Sequence, residues 1–245
     1  MKRKVARLAT IFYGLVTPAA LFAAEPPSKT LDLSNWVLTL PEDTDLPGAP
    51  DEIRQPQLES FMDPRYFFSR DPDGVIFRAH CGGKTTKGSS YPRCELREMT
   101  NLGMTRAGWD TDTQSKHRLR MTAAITKIPP VKQHVVCAQI HHADDDLMMI
   151  RLEGKKLFVE RNSVGDVMLD REYKLGSPFE LKIQASAGRV KVWYDGDLKM
   201  TWKVSRQGCY FKAGCYTQSN ISKGDAADSY GEVVIYRLKV DQDGP

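Results

Sequence analysis

Val190-Lys191-Val192-Trp193-Tyr194-Asp195-Gly196-Asp197-Leu198-Lys199-Met200-Thr201-Trp202-Lys203-Val204 decides the fold class. Two strand-like runs, 190–194 and 198–204, flank Asp195-Gly196. An Asp-Gly pair accepts the positive φ angles that a two-residue hairpin turn demands, so the stretch reads as a β-hairpin. Outward from it, 148–152 and 156–160 flank Glu153-Gly154-Lys155 as a second hairpin. Segments 118–125 and 135–141 alternate with the period of half-buried strands. Further strands are read over 36–40, 75–79, 180–185 and 233–240, while 41–60 and 81–90 read as loops. No long segment carries a 3.6-residue period. Short strands separated by turn signals specify a single all-β domain, a sandwich or a barrel.

The first two dozen residues stand apart. Lys2, Arg3, Lys4 and Arg7 precede an apolar stretch over 8–22, and small residues follow at Ala23 and Ala24. That is the layout of a secretory signal peptide cleaved after Ala23 or Ala24. The stretch is too short for a comfortable membrane span. The expectation is a signal peptide over 1–24, a single domain over 25–245, no membrane association after cleavage, and a secreted or periplasmic address.

Removing 1–24 changes the charge. The whole chain has 35 Lys and Arg against 31 Asp and Glu. Taking away the four basic residues of 1–24, which contains no acid, leaves equal numbers and a formal net charge of zero. A global basic field for nucleic acid is therefore not supported, and an anionic ligand needs a local cluster of cations. The five cysteines (Cys81, Cys94, Cys137, Cys209 and Cys215) form an odd set. Export permits disulfides, but at least one thiol is left over. No Cys/His spacing suggests zinc. A monomer is expected.

Three segments carry chemistry. In Arg93-Cys94-Glu95-Leu96-Arg97-Glu98, strand geometry places Arg93, Glu95 and Arg97 on one face, with Cys94 and Leu96 on the other. Arginine forks suit carboxylates, although a solvated ion-paired face is the plain alternative. In Gln139-Ile140-His141 the polar pair shares a face and Ile140 packs behind. His is the usual proton-transfer residue near neutral pH, although a lone Gln-x-His on a strand is often incidental. His142 is expected on the opposite face or past the strand end. In Tyr210-Phe211-Lys212-Ala213-Gly214-Cys215-Tyr216-Thr217-Gln218, one face is Tyr210, Lys212, Gly214, Tyr216 and Gln218. Gly214 is read as leaving room for a sugar ring. An amphipathic strand exposed to water is the alternative here.

Combined, the polar faces offer Arg, Gln, His, Lys and Tyr, a set able to neutralise a carboxylate and move protons. The paired carboxylates of most glycoside hydrolases are missing. The run Asp144-Asp145-Asp146 reads as a loop, with a calcium contact as one reading. The set fits elimination from a 1,4-linked polyuronate. There a base removes the C5 proton α to the carboxylate, donors stabilise the developing charge, and an acid protonates O4. Tyr216 and His141 fit the proton-transfer roles; the ordinary tyrosine pKa of about 10 is high for this, and nearby Arg and Lys charges are expected to lower it.

These three blocks, with Trp36-Val37-Leu38-Thr39-Leu40-Pro41, resemble the alginate lyases of polysaccharide lyase family 7 over 31–240. The resemblance implies a concanavalin-like jelly-roll β-sandwich with a concave substrate groove, an acidic polysaccharide as partner, and no required metal or other cofactor. It implies Arg93, Gln139 and His141 around the substrate carboxylate and Tyr216 as acid, also base for mannuronate, with His141 as base for guluronate. It implies Glu95, Arg97, Lys212, Tyr210 and Gln218 as supports or substrate contacts. Cys94 stands where the family carries Ser or Thr and could join a disulfide. Ile140 leans the expectation toward guluronate-containing alginate. Glucuronan is the alternative substrate, and a non-catalytic binding module the alternative class.

Overall fold

The Asp195-Gly196 turn joins two antiparallel strands with Tyr194 opposite Asp197. Asp195 and Gly196 both hold positive φ, 48° and 85°, the turn geometry whose twist matches the flanking strands. The computed structural model describes residues 25–45, 47–70 and 74–243; the expected signal peptide lies outside them.

In chain order the strands are β1 (Trp36–Thr39), β2 (Glu52–Ile53), β3 (Phe67–Arg70), β4 (Gly74–His80), β5 (Arg93–Thr100), β6 (Thr105–Arg106), β7 (Lys116–Lys127) and β8 (His134–His141). They continue with β9 (Asp146–Glu153), β10 (Lys156–Glu160), β11 (Val167–Asp170), β12 (Phe179–Ser186), β13 (Arg189–Tyr194), β14 (Asp197–Lys203), β15 (Tyr210–Tyr216) and β16 (Tyr230–Asp243). Helical structure among the described residues is limited to four single 3₁₀ turns.

Two antiparallel sheets form a jelly-roll sandwich. One runs β11-β10-β9-β8-β15-β5-β1-β2, with β6 on the end of β5; the other runs β14-β13-β12-β7-β16-β4-β3. The alternation of β7 shows how the sequence builds the core. His117, Leu119, Met121 and Ala123 are buried, while Arg118, Arg120 and Thr122 between them face out. Trp36, Phe67, Phe77, Phe179 and Phe211 fill the space between the sheets. Truncating such a ring to alanine typically costs about 3–5 kcal/mol.

Several expectations need correction. The 41–60 segment contains β2 and a 3₁₀ turn at Gln57–Glu59 rather than only loop. Asp146 does not belong to a loop but opens β9 opposite His141. All five cysteines are buried and free. Cys94 lies directly across from Cys215 without a bond between them.

Candidate active site

β5, β15 and β8 are consecutive in the nine-stranded sheet, though they start at residues 93, 210 and 134. Their register stacks the three segments in levels. Tyr216 lies opposite Arg93, Gly214 opposite Glu95, and Lys212 between Arg97 and Gln139; Tyr210 lies opposite His141. The sheet face away from the core thus collects all the expected polar residues of these strands. Tyr216 and His141 sit at opposite ends of the array.

Glu95 is the hub. It is fully buried, and its Oε2 pairs with Arg93 Nη1 at 3.1 Å and with Lys212 Nζ at 2.5 Å. Its Oε1 accepts from Gln139 Nε2. Burial pushes this carboxyl up, but the Lys212 and Arg93 cations outweigh it and hold the group ionised. Lys212 is pushed down to about 8, by burial first and then by Arg93. A carboxylate with three donors is locked as a positioning group and is poorly suited to carry protons.

Tyr216 is 9% exposed and packs against Val136, Met149 and Tyr91. The Arg93 guanidinium covers its ring. Ser89 Oγ lies 3.1 Å from the Tyr216 hydroxyl and accepts from Arg93 Nη2 at 3.0 Å. The expected lowering of the Tyr216 pKa is overturned. Burial outweighs both Arg93 and the Ser89 hydrogen bond, so the phenol is raised and stays protonated. Arg93 retains a buried Nε–H without a partner.

His141 Nδ1 lies 2.6 Å from the His142 carbonyl. A carbonyl only accepts, so Nδ1 carries the proton and Nε2 keeps its lone pair. The Tyr210 ring stacks on the imidazole at 5.3 Å, and Arg97 stacks on Tyr210 at 3.9 Å. Burial, followed by the Lys212 charge, pushes His141 down to about 4. The ring is neutral at pH 7. His142 lies past the strand end, as expected.

Gln218 also lies past its strand, where it contacts Arg151 and Met149 rather than the Glu95 cluster. Gly214 does not make room for a sugar. A Cβ there would meet the Cys94 carbonyl at 2.6 Å, Glu95 Cα at 2.9 Å and Phe77 at 2.9 Å, all protein atoms. Its φ of +140° belongs to a bulge, where the β15–β8 register shifts between Ala213 and Tyr216. Ser89 was missed because one serine in a glycine- and serine-rich loop carries no pattern; its place four residues before Arg93 was the only clue. Asp146, read as part of an acidic loop, sits instead beside His141 at the start of β9. Burial, then Asp145 and Glu160, push its carboxyl up to about 6.

Comparison with known proteins gives a consistent result. The family model described as alginate lyase matches residues 31–242. The solved alginate lyase AlgAT5 from polysaccharide lyase family 7 is 54% identical, covering 89% of this chain and 99% of its own, with a TM-score of 0.85. The alginate lyase from Corynebacterium sp. is 40% identical, covering 90% of this chain and 99% of its own, also with a TM-score of 0.85. A curated alginate lyase from Klebsiella pneumoniae is 36% identical over 85 residues, which is 34% of this chain and only 28% of that relative's length. With its family motifs gathered on one sheet face, this chain belongs to the alginate lyases of polysaccharide lyase family 7.

Proposed function

We propose that this protein cleaves alginate by β-elimination, leaving a 4,5-unsaturated uronate at the new end. One observation carries the reading: a cationic cluster is flanked by a neutral imidazole with a free Nε2 and by a protonated phenol. Arg93 and Gln139 meet the uronate carboxylate, and their donors stabilise the charge that develops as C5 loses its proton. His141 Nε2 takes that proton from guluronate, and the Tyr216 hydroxyl protonates the leaving O4. For mannuronate, Tyr216 takes both steps and must first lose its own proton, which its raised pKa opposes. That asymmetry favours guluronate-containing blocks, in line with Ile140. Ile140 itself is buried behind the sheet, so its influence is indirect.

Arg97, Tyr210 and Lys212 hold the His141 end, while Gln218 contacts substrate further along the face. The protein acts as a monomer after loss of 1–24, in the medium or the periplasm. Incubation with separated mannuronate, guluronate and mixed blocks, and with glucuronan, tests the reading through the ultraviolet absorbance of the new double bond. A rise with guluronate-containing blocks is expected. A rise with glucuronan alone, or none at all, overturns it.

A further inference from the structure

The outer face of the seven-stranded sheet carries a row of side chains with no part in this chemistry. Trp193 on β13 lies opposite Lys182 on β12, Lys182 opposite Arg120 on β7, and Arg120 opposite Lys239 on β16. At ~4.8 Å per strand the row runs about 14 Å. Arg237, two residues from Lys239, shares its face. With Glu180 these residues line a shallow cavity of about 420 Å³.

The row has little internal neutralisation. Lys182 Nζ rests 3.7 Å from the centre of the Trp193 ring, which fixes the ammonium in place. Arg120 pairs with Asp241, which it shares with Arg118. Among the described residues Arg237 and Lys239 pair with no carboxylate, and Glu180 pairs with no cation. Like charges directly opposite one another destabilise a sheet, so the fold gains nothing from this assembly, whereas a polyanion would offset its cost. Nor is it the overflow of a basic surface, since 25–245 is formally neutral.

From this juxtaposition we infer that the row is a second, non-catalytic site for the carboxylates of an acidic polysaccharide chain. Cations spaced along a line match carboxylates spaced along a polymer, with the guanidinium forks of Arg120 and Arg237 suited to carboxylates. Nucleic acid fits poorly, because Trp193, the one aromatic ring that lines this cavity, is already covered by Lys182. The choice of polyuronate rests on the substrate proposed above. Binding on both sheets raises the effective concentration of polymer at the active site without touching short fragments.

The test uses Tyr216→Phe as background, so that cleavage is arrested, and measures retention in an alginate-containing native gel. Adding Lys182→Glu with Lys239→Glu should weaken retention about three- to tenfold. Lys29→Glu with Lys174→Glu, an equal charge change at exposed positions off the row, should not. In the active protein the row variant should raise KM on polymer and leave kcat/KM on short oligosaccharides unchanged. Unchanged retention in the row variant, or equal weakening in the control, overturns the site; so does retention by DNA without retention by alginate. If the unaltered protein yields no unsaturated ends but row-dependent retention persists, the proposed reaction fails and the site stands.

Discussion

The Arg93 guanidinium carbon lies 4.0 Å from the centre of the Tyr216 ring. One strand pair thus presents the proposed carboxylate-binding cation and the proposed proton donor as a stacked unit. Tyr216→Phe keeps the ring and the stack but removes the proton. Turnover should fall about 10²–10⁴-fold, in the range of general acid catalysis, with little change in melting temperature. Arg93→Lys keeps the charge but loses the planar fork and the ring contact, and should cost about 10²–10³-fold in kcat/KM. Near-normal rates in both variants, followed by double-bond absorbance, would refute these roles.

Ser89 touches both members of that unit. Ser89→Ala removes one hydrogen bond from each, and the Tyr216 phenol loses a contact that lowers its pKa. A single neutral hydrogen bond contributes about 0.5–1.5 kcal/mol, so kcat should fall about two- to tenfold while KM moves less. The same variant should displace the alkaline side of the pH–rate profile upward. A loss confined to KM would mean that Ser89 only shapes the loop.

Glu95 holds Arg93, Lys212 and Gln139 from one buried carboxylate. Glu95→Gln keeps the shape but leaves two cations without their counter-charge. Breaking a buried pair in this way typically costs about 3–5 kcal/mol, and chemical denaturation should show a loss of that order. Partial recovery is expected on adding Lys212→Met, because the surplus buried charge then disappears. No loss in Glu95→Gln would show that Glu95 acts through shape instead of charge.

Period-two alternation and Asp195-Gly196 made the all-β class readable, and the same alternation put Arg93, Glu95, Lys212 and Tyr216 on the correct faces. What pattern alone could not supply was neighbourhood. β5, β8 and β15 become adjacent only through the sheet order, so the hydrogen bonds that meet at Glu95 had no local signal. Burial was equally invisible, and it reversed the expected direction of the Tyr216 pKa. Gly214 illustrates a third limit. Its presence was plain, but its reason is a bulge pressed against Cys94 and Phe77, and that depends on its φ.

His141 supplies the pH prediction. Its folded pKa is about 4, against 6.5 as the ordinary value. The unfolded chain therefore binds this proton at higher pH than the folded one. The His141 contribution to stability is intact above about 6.5 and is lost as pH falls toward about 4, below which it changes no further. His141→Gln should flatten that part of the melting-temperature profile. A bound uronate brings negative charge beside Lys212 and Arg93, two of the causes that depress the imidazole, so an unreactive oligosaccharide on Tyr216→Phe should raise the His141 pKa. Histidine-resolved NMR titration measures both states directly. An imidazole that titrates near 6.5 without ligand, or does not move when ligand binds, would separate His141 from the cationic cluster and remove it as the base.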